Sequence, residues 1–165
     1  QGRGEGKGDP HFLLELAHYE WVELALDIAE DSLDLAEIDP NGDLLVGTPV
    51  VSPVAWSLGY RFPVHRIGPD FKPERPGPEP RRLVVYRTRP GDVEFLEVNA
   101  VTARLLELLD QSTLGSGRDA LTQIAAELRH PSPDQVIAGG AELLADLRRR
   151  QILVGTRLRC RPMSD

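Results

Sequence analysis

The sequence predicts an α+β protein, with a winged helix-turn-helix in its C-terminal part and a smaller N-terminal lobe built on one long acidic amphipathic helix. Three observations predict it. From Arg82 onward the patterns run strand, strand, helix, helix, helix, strand, which is the order of a winged helix-turn-helix. Between Phe12 and Ile28 the apolar residues recur at helical spacing. The charges are segregated: Asp9 to Tyr60 holds eleven Asp and Glu and no Lys or Arg, while arginine is frequent after Arg61 and clusters at Arg148, Arg149 and Arg150.

The first residues, QGRGEGKGDP, are rich in glycine and charge. They read as a linker, so the chain is expected to be a piece of a longer protein. Their Gly-x-Gly spacing follows no strand and is not a phosphate loop. A helix is predicted from about 10 to 30, with Asp9 as N-cap and Pro10 in the first turn. Its apolar stripe is Phe12, Leu13, Leu16, Tyr19, Trp21, Leu24 and Ile28, and the turn cluster EIDPNGD (37–43) ends the region.

Ser52-Pro53 reads as the cap and first residue of a short helix that contains Trp56 and ends near Gly59. YRFPVHRI then reads as an extended edge, because Pro63 cannot donate to a ladder. Residues 68–80 hold five prolines and read as a polyproline connection. RRLVVYRTR (81–89) and VEFLEV (93–98) form a predicted hairpin around Pro90-Gly91-Asp92. Helices follow over 99–111, capped by Asn99, over 117–130, and over 131–151 with Ser132 as cap and Pro133 in its first turn. Gly139-Gly140 either weakens the last helix or admits a close backbone. Residues 152–158 read as a closing strand. The expected division is a linker at 1–9, an acidic lobe at 10–67, a Pro-rich connection at 68–81, the winged helix at 82–158 and a tail at 159–165.

Composition narrows the function. The chain has 165 residues, 41% hydrophobic and 27% charged, with a net charge of −7. That suits one globular core with an appended lobe. No apolar run is long enough to cross a bilayer, so no membrane partner is expected. The single cysteine, Cys160, has neither a disulfide partner nor a CxxC neighbour, which fits a reducing compartment and predicts a cytoplasmic location.

His11, Glu15 and His18 fall on one side of the first helix at i, i+4 and i+7. A dinuclear carboxylate site needs matching ligands on other helices, and no second Glu-x-x-His exists; His65 and His130 are the other histidines. The favoured reading is that His18 and Tyr19 edge an apolar face and hydrogen-bond to a neighbouring lobe. No metal and no other cofactor is expected. There is no Gly-x-Ser-x-Gly, and no cysteine lies near a histidine in sequence, so a binding protein is expected rather than an enzyme. Glu20, Glu23 and Asp27 are candidate docking residues on the acidic helix. His65 and Arg66 contact either a partner's carboxylate or, the preferred reading, the acidic helix.

Two ligands suit a winged helix. For DNA, the N-terminal end of the recognition helix must reach base edges. Here it begins SPDQVIAGG, with Asp134 in front and no Lys or Arg before Arg148, so a DNA-binding regulator is the alternative reading. For a peptide, an extended segment can add a strand beside a long helix. The candidate groove residues are Leu83, Val85 and Arg87 on the hairpin and Val136, Leu143, Leu144 and Leu147 on the last helix. Some of these belong to the core, and the free edge is not fixed by the sequence.

ELAHYEWVELAL, DLLVGTPVVSPVAWSLGYRFPVHRI and VVYRTRPGDVEFLEVNAVTARLLELL, in that order, resemble the C-terminal part of the HvfC/BufC-type family. The resemblance spans Phe12 to Gly155. Members are often classed as DNA-binding proteins and usually carry a helical domain before this region. The resemblance implies a partner of a multinuclear non-haem iron oxidase that modifies Cys-rich, ribosomally made peptides, often linked to copper handling. The partner's role is then to present the precursor peptide. LEVNAVTARLLELLD, LTQIAAEL and LLADLRRRQILVG also resemble the PqqD-like peptide-recognition element, a winged helix that binds a leader peptide.

Overall fold

The structure is a computed structural model and describes residues 11–111 and 114–158. It is a mixed α+β chain. The helices are α1 (Leu13–Ile28), α2 (Ala100–Asp110), α3 (Gly117–Glu127) and α4 (Pro133–Arg149). The strands are β1 (Ile38–Asp39), β2 (Pro49–Val51), β3 (Ala55–Tyr60), β4 (Arg81–Arg87), β5 (Val93–Val98) and β6 (Leu153–Arg157). They form two antiparallel sheets, ordered β3-β4-β5 and β1-β6-β2.

The larger sheet has helices on both faces. Because successive side chains of a strand point to opposite sides, the central strand β4 feeds two cores. Leu83 and Val85 pack with Phe12, Tyr19, Val22 and Leu26 of the α1 region, and with Tyr60, Phe62 and Val64. Val84 and Tyr86 pack with Leu105, Leu121, Ile124, Leu144 and Leu147 of the three-helix side. A strand covered on both faces reads as a continuous apolar run, as Leu83-Val84-Val85-Tyr86 does.

The hairpin β4–β5 forms as expected, with Val85 opposite Phe95 and Leu83 opposite Glu97. Gly91 adopts a φ of +101° in its turn, a conformation that favours glycine. Asn99 caps α2 by accepting from the Thr102 amide. Ser116 caps α3 by accepting from the Asp119 amide. Pro133 opens α4, but Ser132 makes no side-chain cap bond there. Gly140 is buried against the Leu121 side chain, where any Cβ would overlap it, and Gly139 faces open space. So the close approach at this pair comes from a side chain, not a backbone.

Several expectations need correction. Residues 55–60 are strand β3, not a short helix: Ser52 Oγ accepts from the Val54 amide at 3.3 Å, and the chain then pairs with β4 from Ala55 opposite Tyr86 to Tyr60 opposite Arg81. A Ser-Pro pair serves such a turn as readily as a helix start. Residues 64–66 of the expected extended edge form a 3-10 turn. Helix α1 begins at Leu13 after Phe12; the expected cap, Asp9-Pro10, lies outside the described residues, as do Cys160 and the tail. Its stripe also divides. Phe12 and Tyr19 are buried, while Leu13, Trp21, Leu24 and Ile28 are exposed; Val22 and Leu26, outside the expected stripe, complete the buried face.

The closing strand β6 pairs with β1 on one side and β2 on the other. Residues 38–60 therefore supply strands to both sheets.

Candidate functional site

The residues expected to form the peptide groove occupy unlike places. Leu83 and Val85 lie on the central strand, 1% and 0% exposed, so they are core and not edge. Arg87 Nη1 donates to the carbonyls of Leu26 at 2.7 Å and Asp27 at 2.9 Å. It thereby adds a side-chain donor to carbonyls at the end of α1, and a peptide would have to displace a structural bond. Leu144 and Leu147 are fully buried, while Val136 and Leu143 are half-buried against the helical core. Burial removes Leu83, Val85, Leu144 and Leu147 from any accessible surface.

The sheet does have open edges. Its order leaves the outer sides of β3 and β5 unpaired within the described residues. A row of unpaired backbone groups is a template for another strand. The β5 edge is the more elaborately built. Phe95 is 45% exposed on it, and its ring lies 5.2 Å from the ring of His65. His65 Nε2 is 3.4 Å from Glu97 Oε2, with the histidine side chain 5% exposed. Arg81 Nη1 reaches Glu97 Oε1 at 2.8 Å, and Arg66 Nη2 lies 3.9 Å from Oε2. Burial holds the His65 pKa below its usual value, against the opposing pull of Glu97. The Phe95–His65–Glu97 group thus presents an apolar ring and a carboxylate on the same face of an open strand.

His65 and Arg66 therefore pair with β5, not with the acidic helix. Their true partner is distant in sequence, so local acid content pointed elsewhere. No sequence signal singled out Phe95 or Glu97 as edge residues; only the strand order does so.

Two of the three candidate metal ligands, Glu15 and His18, hold other groups, and His11 is exposed ahead of α1. Glu15 accepts from the amides of Arg61 at 3.1 Å and Phe62 at 2.9 Å, one through each carboxylate oxygen. His18 Nδ1 is 2.9 Å from the Tyr60 hydroxyl. Both side chains fasten α1 to the end of β3. Burial, with the charges of Glu15 and Glu23, pushes Tyr60 up to about 12. Tyr19 is also pushed up, by burial first and then by Glu23. Of the acidic docking candidates, Glu20 and Asp27 are exposed and Glu23 is half-buried.

A cleft of about 440 Å³ lies between the chain after α1 and the start of β6, lined in part by Arg87, Arg89 and Arg148. Two of these arginines close the fold: Arg87 as above, and Arg148 through Nη1 to the Gly42 carbonyl at 2.8 Å.

The family model of the HvfC C-terminal domain matches residues 52–148. The chain belongs to the HvfC family. The matched span begins before β3 and ends one residue short of the end of α4, so both open edges, α2, α3 and nearly all of α4 lie inside the HvfC-type domain. Helix α1 and strands β1, β2 and β6 lie outside it. An HvfC-type domain suggests a family of partner or accessory proteins. A search of curated proteins finds no match. No helix among the described residues is long and apolar enough to cross a membrane.

Proposed function

We propose that this HvfC-type chain is a non-catalytic peptide-binding partner. It captures the leader of a ribosomally made precursor peptide and presents it to an iron-dependent modifying oxidase. In this reading β3–β5 with α2–α4 is a winged helix-turn-helix used as a peptide-recognition element. The leader adds as a fourth strand along β5. The observation that carries the reading is the open β5 edge with Phe95 exposed upon it and braced by His65. Main-chain bonds supply affinity in such strand addition, and alternate side-chain contacts supply selectivity. A leader residue with an apolar side chain would rest on Phe95, and a neighbour two positions along would meet Glu97.

DNA binding draws less support. The exposed positions on the N-terminal half of α4 are Pro133, Asp134, Gln135, Ala138 and Gly139, with no cation to meet a phosphate. Arg149 and Arg150 are at the far end and pair with Asp146.

The test is an NMR titration with the leader of a Cys-rich precursor encoded beside the gene. The reading expects amide shifts concentrated in residues 93–98 and about tenfold weaker binding for Phe95→Ala, which is ~1.4 kcal/mol. Shifts confined to 55–60, or no binding with the oxidase present, overturn it. A salt-dependent gel shift with duplex DNA would instead favour the regulator.

A further inference from the structure

Helix α1 is apolar on two opposite sides. Its inward row, Phe12, Tyr19, Val22 and Leu26, fills a core. Its outward row is Leu14, Ala17, Trp21, Leu24 and Ile28, all exposed. Leu14 is 82% open, Trp21 59%, Leu24 62% and Ile28 74%. Single exposed apolar residues need no explanation. This row is different in kind, because its steps are three, four, three and four residues. That is the spacing of the a and d positions of a coiled coil, which keeps one seam facing a partner helix.

We propose that the outward face of α1 is a docking seam for an amphipathic helix of another protein, one whose apolar row is bordered by Lys or Arg. The charges select this occupant. With Leu14, Trp21 and Ile28 at a and Ala17 and Leu24 at d, the bordering g positions hold Glu20 and Asp27. No Lys or Arg occurs anywhere between Asp9 and Tyr60. A second copy of α1 laid antiparallel sets these acids against one another, and laid parallel it offers them no cation. An anionic bilayer surface is repelled by the same charges, since helices that lie on such surfaces carry basic polar faces. A helix with cations beside its apolar row meets both features at once. Trp21 lies mid-seam and is the type of residue that dominates interface energies. The seam points away from the sheet, so it does not depend on the peptide reading of β5.

The two tryptophans are Trp21 and Trp56, so Trp56→Phe leaves Trp21 as the sole reporter. The probes are two designed three-heptad helical peptides with Leu at a and d. One has Lys at e and g, the other Glu. The expected result is a blue shift of Trp21 emission with the Lys peptide alone, weakened by added salt. Leu24→Ser and Ile28→Ser, both at exposed positions, are expected to weaken binding by about tenfold while leaving circular dichroism unchanged. Glu20→Lys with Asp27→Lys is expected to transfer the preference to the Glu peptide. Equal response to both peptides, or none, overturns the proposal. So does a Trp21 shift with phosphatidylglycerol vesicles but not with the Lys peptide, or self-association of the unmodified protein that Trp21→Ser abolishes.

Discussion

His65 is held between opposing influences. Its ring is buried beside Phe95, and its Nδ1 has no hydrogen-bond partner among the described residues. Burial disfavours the charged ring and Glu97 favours it; Arg66 and Arg81 side with burial, and together they hold the pKa below its usual value. The folded protein therefore binds this proton less tightly than the unfolded chain does. The group's contribution to stability is complete above the unfolded value and is lost as pH falls through the folded one. Urea unfolding of the protein and of His65→Leu, compared from about pH 7.5 down to about pH 5, isolates this residue from the carboxylates. The unmodified protein is expected to lose more stability on acidification than the variant, by at most about 1.4 kcal/mol per pH unit. Parallel curves would show that His65 does not carry the dependence. Sequence marked His65 and Arg66 as paired residues but gave them the wrong partner. Their pairing with Glu97 depends on the chain returning through the Pro-rich segment, which no local pattern encodes.

Two adjacent glycines show how an element is positioned. Both lie in α4, yet only Gly140 meets another helix. Gly140→Val forces Leu121 or the α3–α4 spacing to shift, and overpacking of this kind costs about 1–3 kcal/mol. Gly139→Ala adds a methyl group to open space and is expected to stabilise by about 0.5–1 kcal/mol, the usual helix difference between these residues. Urea midpoints of opposite sign from neighbouring positions are the expected outcome; two losses would mean Gly139 is not free. The hairpin and α2 to α4 were readable because caps, turns and periodicity act within a few residues. Residues 52–60 were misread for a local reason as well. The alternation of Trp56, Leu58 and Tyr60 with Ala55, Ser57 and Gly59 is a strand pattern, and the Ser-Pro pair before it favoured a helix instead. The two faces of α1 could not be separated, since a helix apolar on both sides gives no sign of which side folds inward.

At the scale of the whole molecule, β4 makes the two cores one unit. Leu83 and Val85 serve the α1 side, while Val84 and Tyr86 serve the helical side. Strand β6, at the end of the described chain, lies between β1 and β2. Sequence order suggested an acidic lobe followed by a winged helix, because composition changes near the Pro-rich segment; strand pairing across that segment is invisible in composition. A shared central strand predicts cooperative unfolding. Leu26→Ala in the first core and Leu144→Ala in the second each remove a fully buried side chain, at a cost of about 2–5 kcal/mol. Tryptophan emission reports on the α1 side, where Trp56 packs against the first core. Far-UV circular dichroism is dominated by α2 to α4. Either substitution is expected to lower both midpoints together, since loss of α1 uncovers the face of the strand on which the second core also rests. If Leu26→Ala lowers the emission midpoint and leaves the dichroism midpoint in place, the α1 side is a separate unit. The open β5 edge, which contributes Val93 to one core and Leu96 and Val98 to the other, would then survive only half supported.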